Sequence, residues 1–117
     1  SHGGIKVIIA SVLPVSDHHR AVDPNWERTP ARPLGKIRAL NDLLKAAAIR
    51  DGHAWVDYHS AAAGSDGQLK AELAEDGLHP NAQGYRLMAP LVLEAIDRVA
   101  PPAVPKGKKL VSYTHLT

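Results

Sequence analysis

The amino-acid sequence predicts an α/β domain in which a parallel sheet lies between helices. Residues 5–10 form an almost uninterrupted β-branched apolar run, which is typical of a strand covered on both faces. A shorter strand is predicted at 54–58, and residues 37–51 and 81–99 carry apolar side chains at helical spacing. Because strands and helices alternate along the chain, right-handed crossovers between parallel strands are expected.

The segment between the first strand and the first helix, residues 13–33, is predicted to be a long loop. It contains four prolines and Trp26, and its apolar residues follow no sustained period. Long loops inside compact domains are often functional, and loops at the carboxyl ends of parallel strands border the ligand crevice. Trp26 is therefore a candidate substrate-binding residue, and anchoring of the loop to the core is an equally open interpretation.

Each helix is predicted to bury one apolar stripe. In the first helix the stripe consists of Ile37, Leu40, Leu44 and Ala47. The last helix starts after the N-cap residue Asn81, and its stripe consists of Tyr85, Met88, Val92, Ile96 and Val99. Pro90 removes one backbone donor and should bend this helix. Between the helices, Leu69 and Leu73 are expected to share a face of a short helical segment.

Two strands are too few for a typical sheet, which has about five or six. A parallel sheet is also covered on both faces, so these strands alone would leave apolar edges unpaired. The pattern therefore predicts that further sequence belongs to the same domain.

Composition argues against several classes of protein. Cysteine is absent, so neither a disulfide framework nor a thiolate metal site can form. Residues 1–100 carry eleven Lys and Arg against twelve Asp and Glu, which does not favour a nucleic-acid partner. No apolar run approaches the length that a membrane span needs. The compartment in which the protein works stays open.

The segment Asp76-Gly77-Leu78-His79-Pro80-Asn81 carries the strongest chemical signal. An Asp three residues before a His is a weak signal by itself, but this pair lies in a glycine-containing turn directly before a helix. The pair Gly84-Tyr85 and a long apolar stripe follow. With this context the segment resembles the last motif block of SGNH (GDSL-type) hydrolases, in which an Asp-x-x-His-Pro turn precedes the terminal helix.

The resemblance covers about residues 3–100 and includes the first strand, Leu13-Pro14 and Leu40-Asn41. It implies a flavodoxin-like three-layer α/β/α fold, of which residues 1–100 are the carboxy-terminal part. It also implies a Ser-His-Asp triad in which His79 is the general base and Asp76 orients it, because serine is a poor nucleophile until an imidazole accepts its proton. The implied activity is carboxylic ester hydrolysis through an acyl-enzyme, without a cofactor.

Two parts of the family pattern are absent from the sequence. It contains neither the Gly-Asp-Ser block that carries the nucleophile nor the Gly-x-Asn-Asp segment that helps to form the oxyanion hole. We therefore expect the chain by itself to be inactive. For the complete enzyme the expected partner is a small ester, such as an acylated sugar, a short-chain lipid or a thioester. A non-catalytic remnant or binding module of the same fold is the alternative.

A metal site is a weaker hypothesis. His18 and His19, together with Asp17 and Asp23, are of the types that bind zinc, but adjacent histidines seldom bind one ion. Solvated loop residues are the expected role, and no metal site is predicted. A metal-dependent hydrolase that uses these histidines and His79 is the third functional hypothesis.

The remaining polar candidates are expected to be structural or solvated. Asp57 ends the second strand and has only its location in common with a triad acid. A basic cluster in and after the long loop could steer an anionic substrate, although a solvated face is the expected role; it consists of Arg20, Arg28, Arg32 and Arg38.

The end of the chain, residues 101–117, shows no pattern that would join the core, and we expect a disordered tail. Within it, residues 110–117 look like the in-frame translation of a transposase-type sequencing adapter. We expect them to be a library artefact without a functional role.

Overall fold

The computed structural model describes residues 4–100, so the predictions for residues 101–117 lie outside the described part of the chain. The regular elements, in chain order, are β1 (Ile8–Ala10), α1 (Leu34–Arg50), β2 (Ala54–Val56), α2 (Tyr58–Ala62) and α3 (Ala82–Val99). Two short 3-10 turns, Pro24–Trp26 and Ala71–Leu73, lie in the connections. The alternation of strands and helices confirms the predicted α/β class. Within residues 4–100, no helix is long and apolar enough to span a membrane.

The two strands pair in parallel and are covered by helices on both faces. Ile8 lies opposite Ala54, and Ala10 lies opposite Val56. The side chains of Ala54 and Val56 pack with the fully buried Ala95 of α3. Trp55 points to the other face by strand alternation and borders a polar cavity together with residues of α1. Both strands are shorter than predicted, and after β2 the chain turns at once into α2.

Helix α1 buries the predicted stripe only in part: Ile37 is buried and Leu44 and Ala47 are half-buried, but Leu40 is exposed. Ile37 and Ala48 are buried as apolar anchors, whereas Leu40 is 44% exposed. The buried Asn41 accepts a hydrogen bond from the Val12 N–H at 2.7 Å and donates one to the Val12 carbonyl at 2.9 Å. These two bonds satisfy the backbone at the point where β1 ends, and they set the direction in which the chain enters the long loop.

Helix α3 begins where the sequence predicts, but it is rotated relative to the predicted stripe. The Asn81 side chain accepts a hydrogen bond from the Gly84 N–H at 3.0 Å and so caps the helix. Tyr85 is 60% exposed, while Gly84 and Ala95 face the interior. A Cβ at position 84 would lie 2.8 Å from the Leu73 carbonyl oxygen, so the close approach of this segment needs a glycine.

A second apolar cluster lies beneath the start of α3. Leu69 and Leu73 are buried together with Ala62 and Ala74. The prediction of one helical segment that carries both leucines was wrong, since Leu69 forms a bridge with Ala63 and only Leu73 belongs to a 3-10 turn. The leucines still share one cluster because the chain folds back between them.

Candidate functional site

Asp76 and His79 lie together in the turn that leads into α3. His79 Nδ1 is 2.6 Å from Asp76 Oδ2. The other carboxylate oxygen, Oδ1, accepts hydrogen bonds from the backbone N–H groups of Leu78 and His79, both at 2.8 Å. One oxygen of Asp76 therefore stabilises the turn, and the other orients the imidazole.

The turn is pinned to its neighbours on two sides. Ser16 donates its backbone N–H to the Gly77 carbonyl at 2.9 Å, and the Asn81 N–H donates to the Leu73 carbonyl at 2.9 Å. Gly77 has φ +75°, and a Cβ there would lie 2.4 Å from the Ser16 carbonyl oxygen. Only glycine combines this backbone conformation with so close an approach. The pair of side chains is thus mounted on a rigid support, which is a requirement for precise proton transfer.

The electrostatics of the pair suit a general base. Partial burial favours the neutral acid, but the hydrogen bonds from the His79 imidazole and from two backbone N–H groups hold the pKa of Asp76 far below its usual value. The His79 side chain is 76% exposed. Among the described residues, no hydrogen-bond partner is found for its Nε2. When Nδ1–H donates to Asp76, the lone pair of Nε2 is free to accept a proton from an incoming hydroxyl group.

The long loop is organised by the carboxylate of Asp17. Its Oδ1 accepts the backbone N–H groups of Arg28 at 2.6 Å and Thr29 at 2.9 Å, and its Oδ2 accepts the Thr29 hydroxyl at 2.5 Å. Burial opposes ionisation, but these hydrogen bonds and the charge of Arg20 lower the pKa of Asp17. The long loop shows no periodic pattern in the sequence, but in the structure the Asp17 side chain joins residues near its two ends.

The residues that were considered as metal ligands contact different partners. His18 pairs with Asp66 at 3.5 Å, whereas His19 Nε2 lies 2.9 Å from the Ala71 carbonyl oxygen. Asp23 accepts the Asn25 N–H at 2.9 Å and caps the first 3-10 turn. Within residues 4–100, no group of three or more His, Asp or Glu side chains is placed to hold a metal ion.

The other candidates have distinct environments. Asp57 caps α2 through the N–H and hydroxyl groups of Ser60, at 3.0 Å and 2.6 Å. Trp26 is half-buried in the 3-10 turn of the long loop, and its role in substrate binding stays a prediction. Arg20, Arg32 and Arg38 are exposed.

The contact between Arg28 and Asp76 is a feature that the sequence did not reveal. The interpretation of Arg28 as part of a solvated face was wrong, since its side chain is only 20% exposed and its Nε donates to the Asp76 carbonyl at 3.1 Å. The contact joins residues that are 48 positions apart, and the loop bond to Asp17 joins residues 11 apart. No local spacing signals such contacts, so only the folded chain reveals them.

We expect acid to weaken the contribution of Asp17 to stability. Its pKa is lower in the folded chain, so the contribution is present above the pKa of an unfolded aspartic acid, about 3.9, and is lost as the pH falls through the folded value. The melting temperature of Asp17→Asn should lie about 5–10 °C below that of the parent at pH 6, and the gap should narrow towards pH 2. Thermal unfolding followed by circular dichroism measures both quantities.

The control for this prediction is Thr29→Val, which keeps the shape of the side chain and removes the hydroxyl that donates to Asp17. It should show a smaller gap with the same pH trend. A gap for Asp17→Asn that stays constant between pH 6 and pH 2 would contradict the assignment.

Comparison with known proteins places these features in context. Residues 2–87 match the model of the GDSL-like Lipase/Acylhydrolase family. Two crystal structures are similar to the chain: a candidate acylhydrolase from Bacteroides fragilis NCTC 9343 and a GDSL-like lipase from Bacteroides thetaiotaomicron VPI-5482. Each is 33% identical, with a TM-score of 0.65 over 80% of this chain, and the chain spans 43% of the length of each. No curated protein matches the chain.

Proposed function

The chain belongs to the GDSL-like lipase/acylhydrolase family, and from this premise we propose that it is the carboxy-terminal part of a serine ester hydrolase domain. Residues 1–100 would supply His79 as the general base and Asp76 as the residue that orients it. The serine nucleophile and the oxyanion donors would come from sequence that precedes residue 1 in the complete protein.

The observation that carries this proposal is the 2.6 Å contact between His79 Nδ1 and Asp76 Oδ2, on an imidazole that is 76% exposed. The serine Oγ attacks the ester carbonyl carbon as its proton passes to His79 Nε2, and the imidazolium is stabilised by Asp76. The imidazolium then gives this proton to the leaving alcohol, which leaves an acyl-enzyme. Water then gives a proton to the same base and attacks the acyl group, the bond to the serine Oγ breaks as Oγ takes back a proton from His79, and the carboxylic acid is released.

Exposed apolar surface beside β1 supports a larger domain. Within residues 4–100, β1 pairs only with β2, so its other edge is free. A mostly apolar cavity of about 580 Å³ opens at the end of β1, with Val12 and Leu78 in its lining, and Val12 is 42% exposed. Leu78 is the neighbour of His79 in the turn. We propose that the serine-bearing part of the domain pairs with this edge and fills much of this cavity, which would bring a nucleophile to His79.

The substrate is proposed only as a class. A carboxylic ester of a small molecule is expected, and an acylated sugar, a short-chain lipid and a thioester all satisfy the chemistry, since one fold serves many substrates. Trp26 is the proposed substrate-contacting aromatic residue, because it lies in the loop that Asp17 holds near the Asp76 turn.

The test begins with the coding DNA, sequenced outward from the codon of Ser1, so that the extended protein can be produced. A fluorophosphonate probe, which labels activated serines covalently, should label the extended protein and not the 117-residue chain. The extended protein should also hydrolyse p-nitrophenyl acetate. An extended protein without a Gly-Asp-Ser block and without labelling would support a non-catalytic module. Hydrolysis by the 117-residue chain that disappears in His79→Ala would contradict the proposed division of the triad.

A further inference from the structure

Arg28 contacts both the main chain and the side chain of Asp76. Its Nε donates to the Asp76 carbonyl at 3.1 Å, and one terminal nitrogen lies 3.7 Å from Asp76 Oδ2. This is the same carboxylate oxygen that faces His79 Nδ1. The side chains of Arg28 and Asp76 are only 20% and 22% exposed, so solvent screens their interaction incompletely.

Asp17 holds the main chain of Arg28 in place. Asp17 accepts the backbone N–H of Arg28 at 2.6 Å and both donors of Thr29. The Asp17 N–H in turn donates to the Gln68 side chain at 2.8 Å, which ties this part of the loop to a segment outside it. The main chain at the base of the Arg28 side chain is therefore held in place, and less main-chain freedom is lost when the guanidinium meets Asp76.

We propose that Arg28 is a positioning residue for the pair Asp76–His79, and that Asp17 holds it there. This inference rests on the proposed function, because it assigns Arg28 a part in orienting the general base. The bond to the Asp76 carbonyl fixes the main chain of the turn. The guanidinium also places a positive charge 3.7 Å from Oδ2, the carboxylate oxygen that faces the imidazole.

The other charged groups near the pair do not duplicate this role. Glu75 is adjacent in sequence, but its carboxylate accepts a hydrogen bond from the Asn81 side chain at 2.5 Å. Arg20 forms an exposed contact of 3.4 Å with Glu27. Arg28 is thus the one cation, among the described residues, that forms an ion pair with Asp76 besides His79 itself.

The test uses NMR spectroscopy of the extended protein, labelled with ¹³C and ¹⁵N, and does not depend on catalysis. The imidazole signals of His79 are identified by their absence in His79→Ala and are followed between pH 4 and pH 9. In Arg28→Gln, loss of the nearby positive charge should move the midpoint of these signals to higher pH. Arg28→Lys keeps the charge and should move the midpoint less. The control Arg38→Gln, which changes an exposed arginine of α1, should leave it unchanged.

A second measurement needs no variant. The Arg28 Nε–H signal of the parent should be protected from exchange and should shift with the same midpoint as the His79 signals. An unchanged midpoint in a folded Arg28→Gln protein would overturn the proposal, as would an Arg28 Nε–H signal that is insensitive to the titration. If Arg28→Gln does not fold, the parent measurement alone decides.

Failure of the proposed function is recognised separately. If the extended protein neither reacts with the fluorophosphonate probe nor hydrolyses esters, the proposed catalytic role of Asp76 and His79 is contradicted, whatever the NMR result. If it does hydrolyse esters, Arg28→Gln should lower kcat about tenfold with little change in KM, because misorientation of the base affects the chemical step and not binding of the ester.

Discussion

Replacement of His79 with alanine in the complete hydrolase is expected to lower kcat by about four to six orders of magnitude, with little change in KM. The variant loses the group that accepts the serine proton, while the surfaces that bind the ester remain. Asp76→Asn should cost about four orders of magnitude, because an amide in place of Oδ2 can favour the wrong imidazole tautomer. Initial rates with p-nitrophenyl acetate, over a range of concentrations, separate kcat from KM.

A double variant and a control variant test the role of His79 further. The double variant His79→Ala with Asp76→Asn should be little worse than His79→Ala alone, because the residues act as one unit. His53→Ala is the matched control, since His53 precedes β2 and has no role in the proposed site. A His79→Ala enzyme that keeps more than about one hundredth of the parent kcat would show that another group is the base.

Replacement of Gly77 with alanine is expected to have the largest effect on stability. Position 77 has φ +75°, and the new Cβ would lie 2.4 Å from the Ser16 carbonyl oxygen and 3.0 Å from the Ser16 hydroxyl oxygen. Backbone strain and overpacking add, so the free energy of unfolding should fall by about 3 kcal/mol or more. Because the clash is with backbone, the turn that holds Asp76 and His79 must shift. Urea unfolding monitored by circular dichroism measures the loss.

The variant Gly52→Ala separates backbone strain from overpacking. Gly52 has a similar φ of +71°, but no atom lies within 4 Å of the position that a Cβ would take. This variant should therefore show the strain alone, about 1 kcal/mol. Equal losses for the two variants would mean that the contact between Gly77 and Ser16 contributes nothing, and the rigid support of the turn would need another explanation.

The parts of the fold that were predicted correctly depend on short-range patterns. Asn81 caps α3 because its side chain reaches the N–H of Gly84, three residues later. The pairing of Asp76 with His79 is also a contact over three residues, inside a turn that glycine makes possible. The α/β class follows from the alternation of apolar runs. Such features involve residues that are close in sequence, so they can be predicted from short segments.

The parts that were missed depend on contacts between distant residues. Asn41 satisfies the backbone of Val12, 29 residues away, and so occupies the buried face of α1 at the expense of Leu40. The rotation of α3 follows from the approach of Gly84 to Leu73, which no helical period encodes.

The sequence by itself determined the class of the fold and the two residues that the proposed chemistry uses. Only the tertiary structure decided which faces of the helices are buried and what surrounds Asp76. Arg28 reaches that residue because Asp17 closes the long loop, and both contacts bridge separations that local periodicity does not record. The physical reason is that side-chain burial and ion pairing are properties of the packed chain, whereas turns, caps and strand propensities are properties of neighbouring residues.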